Sequence, residues 1–226
     1  MNINLDSTSG GARGQSHAIF VVVPRFNIAT LITTIETMRI ANYLSSIRAF
    51  SWEIVSFDGA SITASNGMKT EVNADTDSLG PADLIFVLGS WGTEHYANKS
   101  LISWLRKRAR QGERVCSVEL GCYIVARAGL LAGKSATTHW SWMSGFQESF
   151  DTVQCSEQLF TIGDKVMTCA GGLAGVDLML RLIEKSHGSS FAGEIADQML
   201  HHPIRTETTP QRRTMGQGTE TLSLIH

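Results

Sequence analysis

A strand, a sharp turn and a helix are predicted in residues 113–140, which read ERVCSVELGCYIVARAGLLAGKSATTHW. The apolar run Arg114–Val118 predicts a buried strand, Glu119-Leu120-Gly121 the turn, and Cys122–Leu131 a helix that Gly133 ends. A strand–turn–helix of this kind points the side chain of its turn residue into a cleft above the sheet. In enzymes that residue is a Ser or Cys nucleophile, whereas this chain carries a carboxylate there.

Apolar runs of strand length alternate with helical patterns along most of the chain, which predicts an α/β fold. Fully buried strands imply a mostly parallel sheet flanked by helices, so we expect a single three-layer domain. The predicted strands are His17–Pro24, Ser51–Phe57, Ala82–Leu88, Arg114–Val118 and the two arms of a hairpin in Gln158–Cys169 that turns at Gly163-Asp164. The predicted helices are Ile28–Leu44, Leu101–Gln111, Cys122–Leu131, Trp140–Phe150, Gly175–His187 and Ser189–His202.

Three predicted strand ends are expected to meet around one cleft, because ligands in such sheets bind beyond the carboxyl ends of the strands. These ends are Arg25-Phe26-Asn27, Gly89-Ser90-Trp91-Gly92 and Glu119-Leu120-Gly121. Two aromatic residues after the elbow helix extend the same cleft. The candidate ligand-binding residues are Phe26, Ser90, Trp91, Glu119, Leu120, Gly121, His139 and Trp140.

Three roles are open to Glu119. It could bind a ligand, act as a general base or hold backbone N–H groups, because a buried carboxylate must find a partner or take up a proton. Aromatic faces beside one carboxylate are what a quaternary ammonium requires, since that cation offers no hydrogen-bond donor. A cage of Glu119 with Trp91, Trp140 or Trp142, and with Phe26 as a further wall, is therefore one hypothesis. Ordinary core packing is the alternative for each tryptophan.

His139 has two interpretations. It could pair with the Cys122 thiol as a base, or it could be a hydrogen-bonded structural histidine at a strand end. The sequence contains no HExxH motif and no Cys/His cluster with zinc spacing. We therefore expect neither a metal site nor a cofactor.

Composition and charge exclude several broad classes. The formal net charge is −2 at pH 7, so any DNA contact needs a local patch or a further segment. Residues 1–16 are polar and rich in Gly and Ser, which predicts a disordered tail without a secretory signal. The longest apolar run near the start, Ala18–Pro24, is too short to span a membrane. The four cysteines lack CxxC spacing, which favours reduced thiols in a cytoplasmic protein.

Several short motifs resemble one known family when their order and spacing are taken together. The elbow is followed by Ala128–Gly133 and then by Thr137-Thr138-His139-Trp140, as in the PfpI-like branch of the class I glutamine amidotransferase-like superfamily. More narrowly, the chain resembles the amidase-like sensor half of AraC-family transcription regulators. The further segments that carry this resemblance are Glu36–Asn42, Thr63–Gly67, Thr168–Gly172 and Val176–Leu180.

The resemblance implies a flavodoxin-like domain in residues 17–205 that senses a small molecule, with residues 206–226 as a linker. Within that group the chain is most similar to regulators of carnitine and glycine-betaine catabolism, which implies a quaternary amine as effector. Such regulators carry a double helix-turn-helix DNA-binding region after the sensor, and here it would begin where the sequence stops, at His226. A homodimer is expected, in which cleft occupancy changes the arrangement of the DNA-binding regions through the linker.

Two departures from the family pattern bear on catalysis. By the resemblance, Glu119 stands where the hydrolase branch has its elbow cysteine, and Thr30 where it has the acidic residue that assists this cysteine. We therefore expect a non-catalytic sensor. One alternative is a PfpI-like cysteine hydrolase or hydratase that uses a displaced thiol such as Cys122. Another is a stand-alone interaction module.

Overall fold

A six-stranded sheet forms the centre of the computed structural model, which describes residues 15–212. The strands of this sheet and of two short satellite sheets are β1 (Ser16–Val22), β2 (Phe50–Val55), β3 (Ile62–Thr63), β4 (Lys69–Thr70), β5 (Leu84–Gly89), β6 (Arg114–Glu119), β7 (Ser135–Ala136), β8 (Gln154–Cys155), β9 (Phe160–Ile162) and β10 (Val166–Cys169). The central order is β2-β1-β5-β6-β10-β9, and β9 runs antiparallel to β10 while the other neighbours are parallel. The predicted mostly parallel sheet is confirmed.

Helices cover both faces of the sheet. They are α1 (Ile28–Leu44), α2 (Lys99–Arg110), α3 (Gly121–Arg127), α4 (Met143–Ser149), α5 (Ala174–His187) and α6 (Ser189–Gln198). One apolar layer joins α1, α5 and α6 to the sheet, and the other joins α2, α3 and α4 to the opposite face. Successive strand residues alternate between the layers: Phe20 stacks on Phe86 with ring centroids 4.7 Å apart, whereas Ile19 and Ile85 face the other way. The predicted three-layer domain is therefore confirmed.

The elbow helix α3 is shorter than the predicted helix Cys122–Leu131. Gly129 adopts φ 74°, and the N–H of Leu130 donates to Val125 O at 3.2 Å, which closes the last turn. The helix therefore stops at the first glycine after its apolar run, and the prediction that Gly133 ends it was wrong.

Two other predicted helices are interrupted. The helix predicted over Trp140–Phe150 forms as a 3₁₀ turn, Trp140–Trp142, followed by α4. The helix predicted over Ser189–His202 ends at Gln198 because Leu200 takes a left-handed φ of 51°. In both cases the helical spacing of apolar residues continues in the sequence beyond the residue at which the backbone leaves the α-helical conformation.

The N-terminal tail predicted for residues 1–16 lies mostly outside the described residues, which begin at residue 15. Ser16 already belongs to β1, and the N–H of Ser16 donates to Ala49 O at 2.9 Å. No helix in the described part of the chain is long and apolar enough to cross a membrane.

The linker predicted for residues 206–226 lies only partly within the described residues, since residues 213–226 are outside them. Residues 206–212 pack against the domain, where the N–H of Leu159 donates to Glu207 O at 3.0 Å. The domain limits 17–205 stay a prediction.

The elbow depends on a close approach of α3 to β5. A Cβ built on Gly121 would lie 2.0 Å from the carbonyl oxygen of Val87. Because that oxygen belongs to a central strand paired on both sides, it cannot move aside. Any side chain at this position would therefore push α3 away from the sheet.

Gly121→Ala is expected to destabilise the domain by about 3 kcal/mol or more, since overpacking against a fixed backbone is costly. Gly193→Ala in α6 is the matched control, because its added Cβ would have nothing within 4 Å. The control should gain roughly 0.5–1 kcal/mol, as expected for Gly to Ala in a helix. Urea unfolding of both variants measures the difference, and equal effects would contradict the packing account.

Candidate functional site

The elbow is a backbone kink at the last residue of β6. Glu119 takes φ 55°, a left-handed conformation that residues with a side chain rarely adopt. On one side, the N–H of Leu120 donates to Gly89 O at 3.2 Å. On the other, Thr138 Oγ1 donates to Glu119 O at 3.0 Å. These contacts hold a strained backbone of the kind that places a side chain at the carboxyl end of a sheet.

Glu119 is 7% exposed, and hydrogen bonds satisfy only one of its two carboxyl oxygens. Oε1 accepts from Ser90 Oγ at 2.8 Å, whereas Oε2 has no hydrogen-bond partner among the described residues. Burial raises the pKa of this carboxyl group, and the Ser90 hydroxyl and the nearby Asn27 side chain oppose that shift. Gly171 covers the other side so closely that a Cβ there would lie 2.8 Å from Oε2. The elbow therefore holds a buried acid, one of whose oxygens has no hydrogen-bond partner among the described residues.

A cavity of about 390 Å³ opens above the elbow. Five of the eight predicted ligand-binding residues line it, and they come from the segment after β5, the end of β6 and the segment after β7. The strand ends therefore meet around one cleft, as expected. The five residues are Ser90, Trp91, Glu119, His139 and Trp140.

The other three predicted residues lie in the core. Phe26 and Leu120 are fully buried, Gly121 packs on β5, and none of them lines the cavity. The residue next to Phe26, Asn27, takes the cavity-lining position at this strand end. The structure therefore brings an amide to the site where we expected an aromatic wall. Trp142 also stays outside the cavity, where it packs against the second apolar layer.

Two tryptophans at the cavity have exposed rings, with Trp91 57% and Trp140 43% exposed. Large aromatic side chains are mostly buried, so this exposure sets both residues apart from core packing. The guanidinium carbon of Arg212 lies 5.0 Å from the centroid of a Trp140 ring. The Trp140 face therefore already accepts a cation.

His139 contacts a serine rather than a cysteine. Its Nδ1 lies 2.7 Å from Ser141 Oγ, and burial lowers the pKa of the imidazole. Cys122 is fully buried, and burial raises the pKa of its thiol far above the ordinary value. These contacts favour a structural role for His139 over a Cys-His pair.

Two residues that sequence reasoning missed also line the cavity, Arg205 and Gln211. Both follow the last helix: Arg205 is the last residue of the predicted domain, and Gln211 lies in the Thr- and Gln-rich stretch that predicts only a linker. Arg205 binds the fully buried carboxylate of Asp177, and Gln211 Nε2 donates to Thr138 O at 2.8 Å. The available signal was Asp177 itself, because an acid among the apolar residues of a periodic helix needs a partner.

Two larger cavities, of about 600 and 840 Å³, lie elsewhere. Their linings include Arg114 and Val166, the first residues of β6 and β10, so both cavities lie toward the amino ends of strands. Ligands in open α/β sheets bind at the carboxyl ends, which favours the elbow cavity despite its smaller size. Within residues 15–212, no group of three His, Cys, Asp or Glu side chains is placed to hold a metal ion.

The sequence profile of the DJ-1/PfpI family matches residues 21–185. The chain belongs to the DJ-1/PfpI family. This DJ-1/PfpI chain is 34% identical over 193 residues to the HTH-type transcriptional regulator GbdR of Pseudomonas aeruginosa, covering 85% of the chain and 53% of GbdR. It is also 34% identical to the HTH-type transcriptional regulator CdhR of the same species, with 85% and 57% covered. The chain therefore spans about half the length of these curated relatives.

Solved structures and one enzyme extend the comparison for this DJ-1/PfpI chain. An AraC family transcriptional regulator from Pseudomonas putida has the same fold, with a TM-score of 0.74 at 19% identity over 81% of this chain and 99% of that one. Isonitrile hydratase of Pseudomonas putida is 26% identical, over 71% of this chain and 70% of the enzyme. The expected kinship with AraC-type regulators is confirmed, and the relatives also include an enzyme.

Glu119→Gln is expected to stabilise the DJ-1/PfpI domain at neutral pH and to lose this effect in acid. The folded-state pKa of Glu119 is raised, so the wild-type domain loses stability as the pH rises through that pKa, whereas glutamine cannot ionise. The gain should be about 1–3 kcal/mol, the usual cost of a buried polar group without a partner. Thermal unfolding from pH 4 to 8 measures it, with exposed Glu194→Gln as control. A gain that does not change with pH would contradict this account.

The four thiols of the DJ-1/PfpI chain are expected to resist alkylation at pH 7. Cys116, Cys122 and Cys169 are buried with raised pKa values, and burial raises the pKa of the half-buried Cys155 to about 11. Because the thiolate is the reactive form, iodoacetamide should label the native protein at least about tenfold more slowly than the urea-unfolded protein. Mass spectrometry measures both rates. Rapid labelling of one native cysteine would instead support the hydrolase alternative.

Proposed function

We propose that this chain is the effector-binding part of an AraC-type transcription regulator and that its elbow cavity binds a small molecule without turning it over. The unpaired Oε2 of Glu119, buried beside two exposed tryptophans, is the observation that carries the proposal. A buried carboxylate without a partner is costly, and a ligand that supplies a positive charge would offset that cost.

A quaternary ammonium is the ligand group that best fits these walls. Such a cation cannot donate a hydrogen bond, so it needs a carboxylate for charge and aromatic faces for contact. Glu119 supplies the charge, and Trp91 supplies an aromatic face beside it. The guanidinium of Arg212 already lies over the Trp140 ring, so the ligand would rest mainly on Trp91, for which no cation contact is seen among the described residues. Carnitine, glycine betaine and choline are the candidates of this class.

Three observations support a non-catalytic role. The elbow residue is Glu119, whose carboxylate is a weaker nucleophile than a thiolate. Thr30, which by resemblance takes the place of an assisting acid, accepts a hydrogen bond from the N–H of Gly172 at 2.8 Å. The Cys122 thiol is buried in the core, at the second residue of α3. The kinship with isonitrile hydratase keeps a hydrolase or hydratase as the alternative, which the thiol measurements test.

DNA binding would belong to a region outside the residues described here. GbdR and CdhR are HTH-type regulators about twice as long as the matched part, so their remaining length has room for such a region. We propose that the protein acts on DNA as a homodimer in the cytoplasm and that its activity follows effector occupancy.

Quaternary amines are expected to raise the melting temperature of the wild-type protein in a concentration-dependent way, since a ligand of the folded state stabilises it. Choline should bind at least about tenfold more tightly than 3,3-dimethylbutanol, which has the same shape without the charge. Glu119→Gln should remove most of this preference for charge, and Glu194→Gln should keep it. Calorimetric titration measures the affinities.

Two results would count against these assignments. Equal affinity of choline and its uncharged analogue for the wild-type protein would contradict recognition of a cation. Turnover of an amide or isocyanide by the wild-type protein would contradict the non-catalytic role and favour the enzyme alternative.

A further inference from the structure

The last described residues, 201–212, run across the carboxyl end of the sheet and are called the C-terminal strap below. One end of the strap is fixed by Asp177 of α5, whose side chain is fully buried. Asp177 Oδ2 accepts from Arg205 Nε at 3.0 Å and from Nη2 at 2.6 Å. Its Oδ1 accepts from the N–H of Arg205 at 2.8 Å and lies 2.8 Å from His201 Nε2.

The other end of the strap is fixed by Gln211, which sits among polar backbone groups of the cavity wall. Gln211 Nε2 donates to Thr138 O and to Gln158 O, each at 2.8 Å, and to Thr137 Oγ1 at 3.0 Å. Its Oε1 accepts from the N–H of Trp140 at 2.8 Å. Gln211 therefore joins the strap to Thr138, and Thr138 in turn donates a hydrogen bond to Glu119 O in the elbow.

Arg205 and Gln211 line the same cavity as Glu119. Asp177 accepts hydrogen bonds from Nε and Nη2 of Arg205, and Nη1 has no hydrogen bond to the described residues. The strap thus brings to the cavity a guanidinium group that Asp177 pairs through Nε and Nη2. Its amide and guanidinium groups complete a wall that the strands and helices leave open.

We propose that the C-terminal strap is part of the effector site, with Arg205 and Gln211 as binding-site residues, and that ligand binding and strap docking strengthen each other. The proposal rests on the proposed function of the elbow cavity. A ligand that touches both Glu119 and the strap gains contacts that exist only while the strap is docked. Such a ligand must favour the docked state, and by linkage the docked strap must favour the ligand.

The strap is therefore the connection through which the occupied cavity acts on the chain that follows Arg212. Arg212, the last residue of the strap, also contacts the domain. Its Nε donates to Glu157 Oε1 at 2.8 Å, and its guanidinium lies over the Trp140 ring. A zwitterion such as glycine betaine fits the pair of opposite charges, with its ammonium group at Glu119 and its carboxylate at Arg205.

Glycine betaine titrations of the wild-type protein, Gln211→Ala and Gln198→Ala test the proposal. Gln211→Ala should bind at least about tenfold more weakly, because the strap loses its four bonds to the wall. Gln198→Ala, an exposed position at the end of α6, should bind like the wild type. Equal affinity of Gln211→Ala and wild type would overturn the strap proposal while leaving the effector site in place.

Limited trypsin digestion of the wild-type protein gives a second readout that needs no variant. Saturating glycine betaine should slow cleavage after Arg205 at least about tenfold and leave cleavage after the exposed Lys165 unchanged, since Lys165 lies in the β9–β10 turn at the other end of the sheet. Binding without protection at Arg205 would overturn the coupling. No binding of glycine betaine to the wild-type protein would overturn the zwitterion assignment and the strap's part in it, and choline binding would then decide separately on the cation site.

Discussion

The left-handed backbone of Glu119 is the constraint on which the rest of the site depends. It is possible because Gly121 leaves room for the carbonyl oxygen of Val87, so that α3 can start directly against the sheet. Thr138 then bonds the Glu119 carbonyl group from the far side of the cleft. A strained turn held from both sides keeps its side chain in place whatever that side chain is. The scaffold therefore suits a binding acid as well as a nucleophile.

Two buried carboxylates, one in the cavity wall and one behind it, have different surroundings. Asp177 is fully buried, but Arg205 pairs with both of its oxygens. Glu119 is nearly as buried, yet a single hydroxyl from Ser90 serves one of its oxygens. The first carboxylate is a structural anchor because its charge is matched within the chain. The second keeps one oxygen without a hydrogen-bond partner among the described residues, and burial raises its pKa.

The sequence predicted the fold well because strand burial and helix periodicity are local patterns. It also predicted the elbow and five of the residues that line the cavity, because a turn between a buried strand and a helix directs its side chain into the cleft at the carboxyl end of the sheet. It failed where neighbours in space decide. Phe26 and Asn27 are adjacent, and the sheet edge determines which of them faces the core. Gln211 reaches the site through contacts with residues far away in sequence, and no local pattern encodes those.

The packing around Thr30 has a consequence for protein engineering. Thr30 Oγ1 accepts the N–H of Gly172, and a Cβ on Gly175 would lie 3.3 Å from Thr30 Cγ2, so α1 and α5 leave little room for a longer side chain there. A cysteine introduced at position 119 would therefore gain no acidic neighbour at position 30 unless the two helices moved apart. Building a cysteine–acid pair into this fold would need several concerted substitutions, each of little use alone.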